Sequence, residues 1–303
     1  MKVLLIVPYF GKSPGWTDYF IKSCTCNLNV SWLFYGNLNI NCKAANNIYV
    51  EKTQINDFNK LATAKLDIPV NILNPYKICD FRPAFGEIFS DYINEYDFWG
   101  YCDLDMIFGT ISNFILLNDL ETYDIITTGQ DYLAGHFTIY RNNDKIRQLY
   151  KSVWHIEKKL RDSYRHYYLD EKSNYIGQQL INNGKSRFWL YSKIIKRGIN
   201  SIRYRFLKVL PFKYDMTKVL INEEKKGNIK ILRIKDIKSD DYYIDRSINS
   251  WSVEWRNGSL IDLRDNAELM YFHFIKSKRQ EKFRIAPFRD QARFKISKYG
   301  IQS

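Results

Sequence analysis

Long apolar runs are missing from this chain. No stretch approaches the roughly 20 apolar residues that cross a bilayer as a helix, so a protein that is soluble or lies on a membrane surface is expected. The short run Val3-Leu4-Leu5-Ile6-Val7 stops at Pro8, Tyr9 and Phe10 with no small-residue cleavage site, and reads as a first buried strand, not a signal peptide. Cysteines number five, an odd count. Cys24-x-Cys26 is too tight for a usual zinc pair and has no histidine nearby, which points to reduced thiols in a cytoplasmic protein. Histidines number four, too few for the Asp/His clusters of a metal-dependent phosphate-ester hydrolase. Internal repeats and low-complexity segments are absent. Acids are outnumbered by bases, 33 to 46, and the resulting charge of +13 is compatible with nucleic acid, anionic lipid or anionic substrates.

What the chain does have is apolar and aromatic bulk. Hydrophobic residues make up 45% and aromatics 16%, with 23 Tyr and 19 Phe, which is not a disordered composition. At 303 residues it can bury a substantial core, as one large α/β domain or a domain with an appendage.

The chain is organised around residues 96–109. Phe98, Trp99, Tyr101 and Cys102 read as a strand buried on both faces. Two carboxylates, Asp103 and Asp105, then stand where the apolar run should continue. Residues i and i+2 of a strand share a side, so the two anions are expected to converge at the strand's end. A hard divalent cation relieves their repulsion and takes oxygens from carboxylates and phosphates together. Leu104 is expected to point into the core, and Gly109 to let the chain turn. An isolated Asp-x-Asp is usually a solvated turn; the aromatic strand before it and Ile107-Phe108-Gly109 after it set this one apart.

Strand and helix signals alternate around this stretch. Strands are expected at 2–7, 31–35, 46–50, 123–128 and 132–140, a strand or extended segment at 68–73, helices at 16–28, 57–66, 80–92, 144–154 and 174–182, and short β segments at 229–234 and 250–255. Asp80 would be the N-cap of its helix. Gly135 would sit mid-strand, where a missing side chain often marks a ligand's close approach. The alternation predicts an α/β fold, a mostly parallel sheet flanked by helices. Such sheets bind ligands beyond their carboxyl ends, where Pro8-Tyr9-Phe10-Gly11 forms the first turn; an ordinary buried turn would read the same way.

Strand, Asp-x-Asp, short apolar step and glycine together resemble the nucleotide-sugar site of the GT-A glycosyltransferases, closest in texture to the glycogenin-like and lipopolysaccharide galactosyltransferase-like enzymes. More narrowly, Pro75-Tyr76-Lys77-Ile78-Cys79-Asp80-Phe81-Arg82-Pro83-Ala84-Phe85-Gly86-Glu87-Ile88-Phe89, followed by 96–109, resembles bacterial capsule and O-antigen proteins of glycosyltransferase type. The resemblance is strong over 1–140 and patchy over 160–180 and 260–280. It implies a GT-A-like, Rossmann-like fold. It also implies Mn²⁺- or Mg²⁺-dependent transfer of a sugar from a nucleotide-diphospho sugar, UDP-hexose favoured, to a lipid-linked or oligosaccharide acceptor in bacterial surface polysaccharide synthesis.

Site roles follow from the same resemblance. The second carboxylate of the motif binds the metal most directly, which implies Asp105, while the first, Asp103, also reaches the ribose. The glycogenin-like enzymes close their catalytic domain with a strand, a metal-binding His and a diphosphate-binding Lys. This implies His273 as third ligand and Lys276 or Lys278 as phosphate clamp; the family's Pro-Trp is missing after either lysine, so the choice stays open. A lone His in an apolar strand is also often a satisfied core residue. Arg82 matches a basic residue facing the nucleotide, with Lys77 and Asp80 as softer candidates. Gly135-His136 matches the segment under the donor sugar. Asp170-Glu171 resembles an acidic pair that opens a helix at the reaction centre, as base or as orienting group, although capping a helix dipole accounts for it equally. Asp131 is a further catalytic candidate, and inverting or retaining stereochemistry stays open.

Residues 185–218 are different in kind, with Lys185, Arg187, Lys193, Lys196, Arg197, Arg203, Arg205, Lys208, Lys213 and Lys218 against Asp215 and aromatics interleaved. The tail from Lys276 is similar. Such stretches can lie in a membrane interface, each base contributing about 1 kcal/mol near an anionic leaflet. The expected organisation is a core at 1–184, a basic helical and short β appendage at 185–262, and a closing strand with a basic membrane-surface tail at 263–303. Expected partners are the nucleotide-sugar donor, a lipid-linked saccharide acceptor and an anionic membrane surface, with the protein cytoplasmic and peripheral on the inner face of the cell membrane. No nucleic acid is expected, because the basic excess falls in the back half while 86–131 is acid-rich. A basic nucleic-acid-binding protein and a metal-dependent phosphate-ester hydrolase are the alternatives.

Overall fold

Buried apolar runs become the strands of a large sheet. The computed structural model describes residues 1–40, 45–129, 132–171, 214–235, 238–245, 248 and 250–302. In chain order the strands are β1 (Val3–Tyr9), β2 (Val30–Gly36), β3 (Ile48–Lys52), β4 (Phe98–Cys102), β5 (Met106–Phe108), β6 (Ile125–Thr127), β7 (Phe137–Arg141) and β8 (Ile231–Arg233). Seven of them form one sheet in the order β3-β2-β1-β4-β7-β6-β8. Strands β3, β2, β1 and β4 run parallel, β7 is antiparallel to both neighbours, and β8 is parallel to β6. The fold is therefore mixed α/β, with a large, mostly parallel sheet flanked by helices.

The two-residue period of a strand sorts its side chains between two cores. Val3, Leu5 and Val7 pack on one face of the sheet with α1 (Thr17–Thr25). Leu4, Ile6, Trp99 and Tyr101 pack on the other, with Phe58 and Ala62 of α2 (Ile55–Leu66). The helix α3 (Met216–Lys225) adds Met216, Val219 and Leu220 to this second core.

A second, five-stranded sheet is built from β9 (Ser252–Arg256), β10 (Ser259–Asp262), β12 (Arg284–Ile285), β13 (Arg293–Ser297) and β14 (Gly300–Gln302), in the order β10-β9-β13-β14-β12. Between β10 and β12 in sequence, β11 (Tyr271–His273) leaves to pair antiparallel with β5. The stretch 185–262 thus contributes β8 to the first sheet and β9 and β10 to the second. Among the described residues no helix is long and apolar enough to cross a membrane.

Several local expectations need correction. The helix expected at 80–92 is a 3-10 segment, Pro75–Ala84, followed by the short helices Phe85–Ile88 and Ser90–Ile93. Pro83 removes an N–H and crowds the preceding turn, so one continuous α-helix cannot pass through it. Asp80 lies inside this segment and is not a cap; Asn74 caps it, accepting from the Tyr76 N–H at 3.1 Å. Of the two readings of 68–73, the strand is not formed, because side chains of α2 take N–H groups there: Val70 donates to Thr63 Oγ1 (2.9 Å) and Ile72 to Asn59 Oδ1 (3.0 Å). The helix expected at 144–154 is split into Asp144–Arg147 and the 3-10 turn Leu149–Ser152. Gly135 lies in the turn before β7, not within a strand. Gly109 matters for close packing more than for turning: a Cβ there would lie 2.3 Å from the Leu269 carbonyl oxygen. The helix expected at 174–182, most of the basic stretch 185–218, and Asp131 lie outside the described residues.

Candidate metal and anion site

The buried strand β4 ends at Cys102, and the chain bends before β5. Asp103 and Asp105 occupy this bend, so their convergence comes from the turn and not from strand alternation. Two contacts hold the bend: the Asp103 N–H donates to the His136 carbonyl (3.0 Å), and Trp16 Nε1 donates to the Leu104 carbonyl (2.9 Å). Leu104 points into the core as expected. The Asp105 side chain is only 6% exposed, while that of Asp103 is 25% exposed.

His273 arrives through the ribbon formed by β5 and β11. Its register sets His273 opposite Met106, and the Phe274 N–H donates to the Asp105 carbonyl at 3.1 Å. His273 Nε2 consequently lies 3.2 Å from Asp105 Oδ2 and 3.8 Å from Asp103 Oδ2. One ligand atom from each of the three residues falls within 4.8 Å of the others. Asp105 Oδ2 and His273 Nε2 are buried without an aligned hydrogen bond. Two carboxylates and one imidazole, with Asp105 Oδ2 and His273 Nε2 facing one another, form a donor set that fits a divalent ion. The imidazole favours Mn²⁺ over the harder Mg²⁺.

Two protein cations adjoin these carboxylates. Lys278 Nζ forms an ion pair with Asp105 Oδ2, and Arg82 Nη2 donates to Asp103 Oδ1. Burial acts against charge on Asp105, but His273 and Lys278 outweigh it and hold its carboxyl well below the usual range. Burial likewise disfavours an imidazolium at His273, yet Asp105 and Asp103 shift it upward. Lys278 sits in a 3-10 turn, Ser277–Arg279, anchored by Asp240. The Oδ2 of this fully buried aspartate accepts from the N–H groups of Lys276 (2.9 Å) and Ser277.

Arg82 links this group to a second one. Its Nη1 donates to Asp170 Oδ2 (2.8 Å) and to the Gly135 carbonyl. Asp170 in turn lies near Asp80 and His166, where His166 Nε2 is 3.4 Å from Asp80 Oδ1 and 3.9 Å from Asp170 Oδ1. Asp80, His166 and Asp170 also meet the spacing of a cation site. Asp80 is already saturated, however: it accepts from Lys77 Nζ (2.8 Å) and the N–H groups of Tyr167 (2.8 Å) and Leu169 (3.1 Å). Lys77 is paired with Asp80, and Asp170 accepts from Arg82, which it shares with Asp103, so protein cations already occupy this cluster. Lys77 is 0% exposed and also donates to the Lys159 carbonyl at 2.7 Å. Lys77 and Asp80 therefore stand in the interior as a structural pair, out of reach of a nucleotide.

The remaining expected residues divide between the site and its supports. Glu171 lies against Gly135: a Cβ on that glycine would fall 2.5 Å from Glu171 Cγ and Oε1. The side chain that Gly135 admits is thus a carboxylate of this protein. Burial raises the Glu171 carboxyl, and Asp103 adds to the shift. Burial pushes the Asp170 carboxyl up to about 8, with Glu171 and Asp80 adding and Arg82 opposing. His136 is stacked on His273, with ring centroids 4.6 Å apart. Its Nε2 is 2.7 Å from the Tyr271 hydroxyl, which also meets Thr128 at 2.6 Å. Burial, with His273 adding, holds His136 well below its ordinary value, so it supports His273 as a neutral ring.

At the turn after β1, Phe10 points into the core against Tyr35 and Phe58 and is not available for stacking on a base. Tyr9 donates to the Lys12 carbonyl (2.8 Å), and the Gly11 N–H donates to Asn37 Oδ1 (2.9 Å). Pro8 to Gly11 still lie at the sheet edge that carries Asp103, since β1 and β4 are parallel neighbours in register.

Sequence reading missed Asp240, His166 and Tyr76. Tyr76 is 60% exposed over the whole residue and its ring is 4.7 Å from that of His166; burial of its hydroxyl end raises the phenol, with Cys79, Glu171, Asp170 and Asp103 adding. The spacing His166-x-x-x-Asp170 was the one available signal; the contacts of Asp240 cross too many residues to leave any.

No curated protein matches the chain. A family model described as "Family of unknown function (DUF6625)" matches residues 5–303. A match over nearly the whole length, spanning the bend of Asp103 and Asp105 as well as His273 and Lys278, makes this chain a member of that family.

Proposed function

We propose that this protein is a metal-dependent glycosyltransferase that moves a sugar, UDP-hexose favoured, from a nucleotide-diphospho donor to a lipid-linked or oligosaccharide acceptor of a bacterial surface polysaccharide. One observation carries this reading. Asp103 and Asp105 meet His273 at the carboxyl end of a buried strand, with Lys278 and Arg82 beside them. Breaking an anomeric bond to a diphosphate puts negative charge on the leaving group, and a cation with positioned bases stabilises that charge. The mixed sheet, with its acid bend beyond β4, also agrees with a GT-A-like fold.

Asp103, Asp105 and His273 would hold Mn²⁺ or Mg²⁺, which when bound supplies Lewis-acid stabilisation of the departing diphosphate. Lys278 and Arg82 would supply positive charge to the same anion. Asp170 keeps Arg82 oriented from behind. Glu171, raised by its burial beside Asp103, has a carboxyl nearer neutrality and so a better match to proton transfer from an acceptor hydroxyl. Tyr76 offers an exposed ring on which an acceptor sugar can stack. The basic stretches suit an anionic membrane surface carrying the acceptor.

The test is Mn²⁺-dependent binding of UDP- and GDP-sugars, with Asp105→Asn as control. Binding that needs the metal and is lost in Asp105→Asn supports a transferase. Absence of binding by every nucleotide sugar, or an unaffected Asp105→Asn, defeats it. A phosphate-ester hydrolase is the second reading, since the paired carboxylates Asp103 and Asp105 with His273 would serve a metal-activated water equally. It predicts metal-dependent release of phosphate from simple esters, which a transferase would not give.

A further inference from the structure

Asp105 Oδ2 is claimed twice. It lies 3.2 Å from His273 Nε2, in position to share an ion with it, and it is also the oxygen that Lys278 Nζ pairs with. The other carboxylate is held in the same way, by Arg82. Each acid of the pair therefore has a protein cation upon it. An ammonium and a divalent ion on one carboxylate oxygen repel each other strongly in a half-buried setting. One must leave, and the lysine is the mobile partner. Its side chain is 23% exposed, whereas that of Asp105 is 6% exposed and locked between β4 and β5. The backbone of its turn stays in place, because Asp240 holds the N–H groups of Lys276 and Ser277.

We propose that Lys278 is a resident counter-cation that makes the site take a divalent ion together with an anionic diphosphate and hold the bare ion weakly. This rests on reading Asp103, Asp105 and His273 as a metal site. A bare ion must expel the ammonium from its partner without offering another. A metal–diphosphate chelate brings phosphate oxygens that accept the displaced ammonium in charge-assisted hydrogen bonds. Metal and diphosphate therefore bind synergistically, and reciprocity requires each to tighten the other by the same factor.

The experiment is titration of Mn²⁺ into the full chain, followed through the paramagnetic signal of the free ion, with and without UDP. Lys278→Met is compared with wild type; methionine keeps most of the unbranched stem and removes the ammonium, which lies 5.8 Å from the Trp16 ring centroid. Without UDP, Lys278→Met is expected to bind Mn²⁺ about tenfold more tightly than wild type. UDP should tighten Mn²⁺ binding by about tenfold or more in wild type and far less in the variant. Equal or weaker Mn²⁺ binding by Lys278→Met without UDP overturns the proposal. A second measurement needs no variant: thermal melting of wild type with Mn²⁺, UDP, or both. The pair should raise the Tm by more than the two separate shifts combined, and simple additivity overturns the proposal. If neither protein binds Mn²⁺ even with UDP, the metal site fails and this proposal with it. If Mn²⁺ binds but ignores both Lys278 and UDP, the metal site stands and this proposal alone fails.

Discussion

Lys77 is a charge with no access to water, and Asp80 is its counter-ion, each 0% exposed at the side chain. Removing one partner of such a pair leaves the other buried and uncompensated. Asp80→Ala is expected to cost about 3–5 kcal/mol of folding stability, read as a fall in the urea midpoint; a loss under about 1 kcal/mol would show that the pair is not needed. Gly135 poses a question of space, not charge. A methyl group there would collide with Glu171 Cγ at 2.5 Å, so Gly135→Ala should shift that carboxylate. If Glu171 moves the acceptor's proton, turnover should fall on the order of tenfold or more while Mn²⁺ affinity changes little. Unchanged turnover would remove Glu171 from the chemistry.

At the scale of an element, the informative unit is the turn that presents Lys278. Three pieces of chain meet there: the end of β11, the turn Ser277–Arg279, and the helix Asp240–Asp245, whose first residue accepts two of the turn's N–H groups. Substituting Asp240 by Ala orphans those donors, at about 1–3 kcal/mol. The expected result is weaker UDP binding with the bare-metal affinity retained, since β5 and β11 still bring His273 to Asp105. Loss of both affinities together would mean that Asp240 supports the whole site and not the lysine alone. The 3-10 segment Pro75–Ala84 is a comparable unit. Arg82 leaves it toward Asp103, while Lys77 and Asp80 root it in the core.

For the whole molecule, protonation links site and stability. Asp170 has its carboxyl pushed from 3.8 up to about 8, mainly by burial. Between those values the folded state binds the extra proton, so this contribution is full below the unfolded value and is lost as pH rises toward the folded one. Asp105 acts with the opposite sign: its folded value is depressed, so its contribution is present above 3.8 and lost as pH falls. With divalent metal chelated, Tm should decline from about pH 5 to about pH 8, and Asp170→Asn should flatten that decline. An equally steep decline in the variant would assign it to other groups. The charge of +13 acts over a longer range. Flotation with anionic and neutral vesicles should recover more protein from the anionic set, salt-sensitively; equal recovery would reject a membrane-surface role.

Local pattern alone determined much of this protein. A doubly buried strand needs unbroken apolar residues, so β1, β2 and β4 were legible, and with them the mostly parallel α/β sheet. Two acids breaking such a run at its carboxyl end marked the candidate site, because carboxylates cannot continue into a core. The bend that actually turns Asp103 and Asp105 together could not be read, nor could Pro83's division of the expected helix into shorter pieces. Tertiary structure decided the rest, for reasons that depend on distance in space. His273 reaches Asp105 through the pairing of β11 with β5, and Lys278 is aimed by a buried aspartate on another segment. Lys77 and Asp80, which resembled ligand contacts as residue types, became a buried pair because the chain around them closed. Which charges face a ligand and which face each other follows from how the elements pack, and no local spacing encodes it.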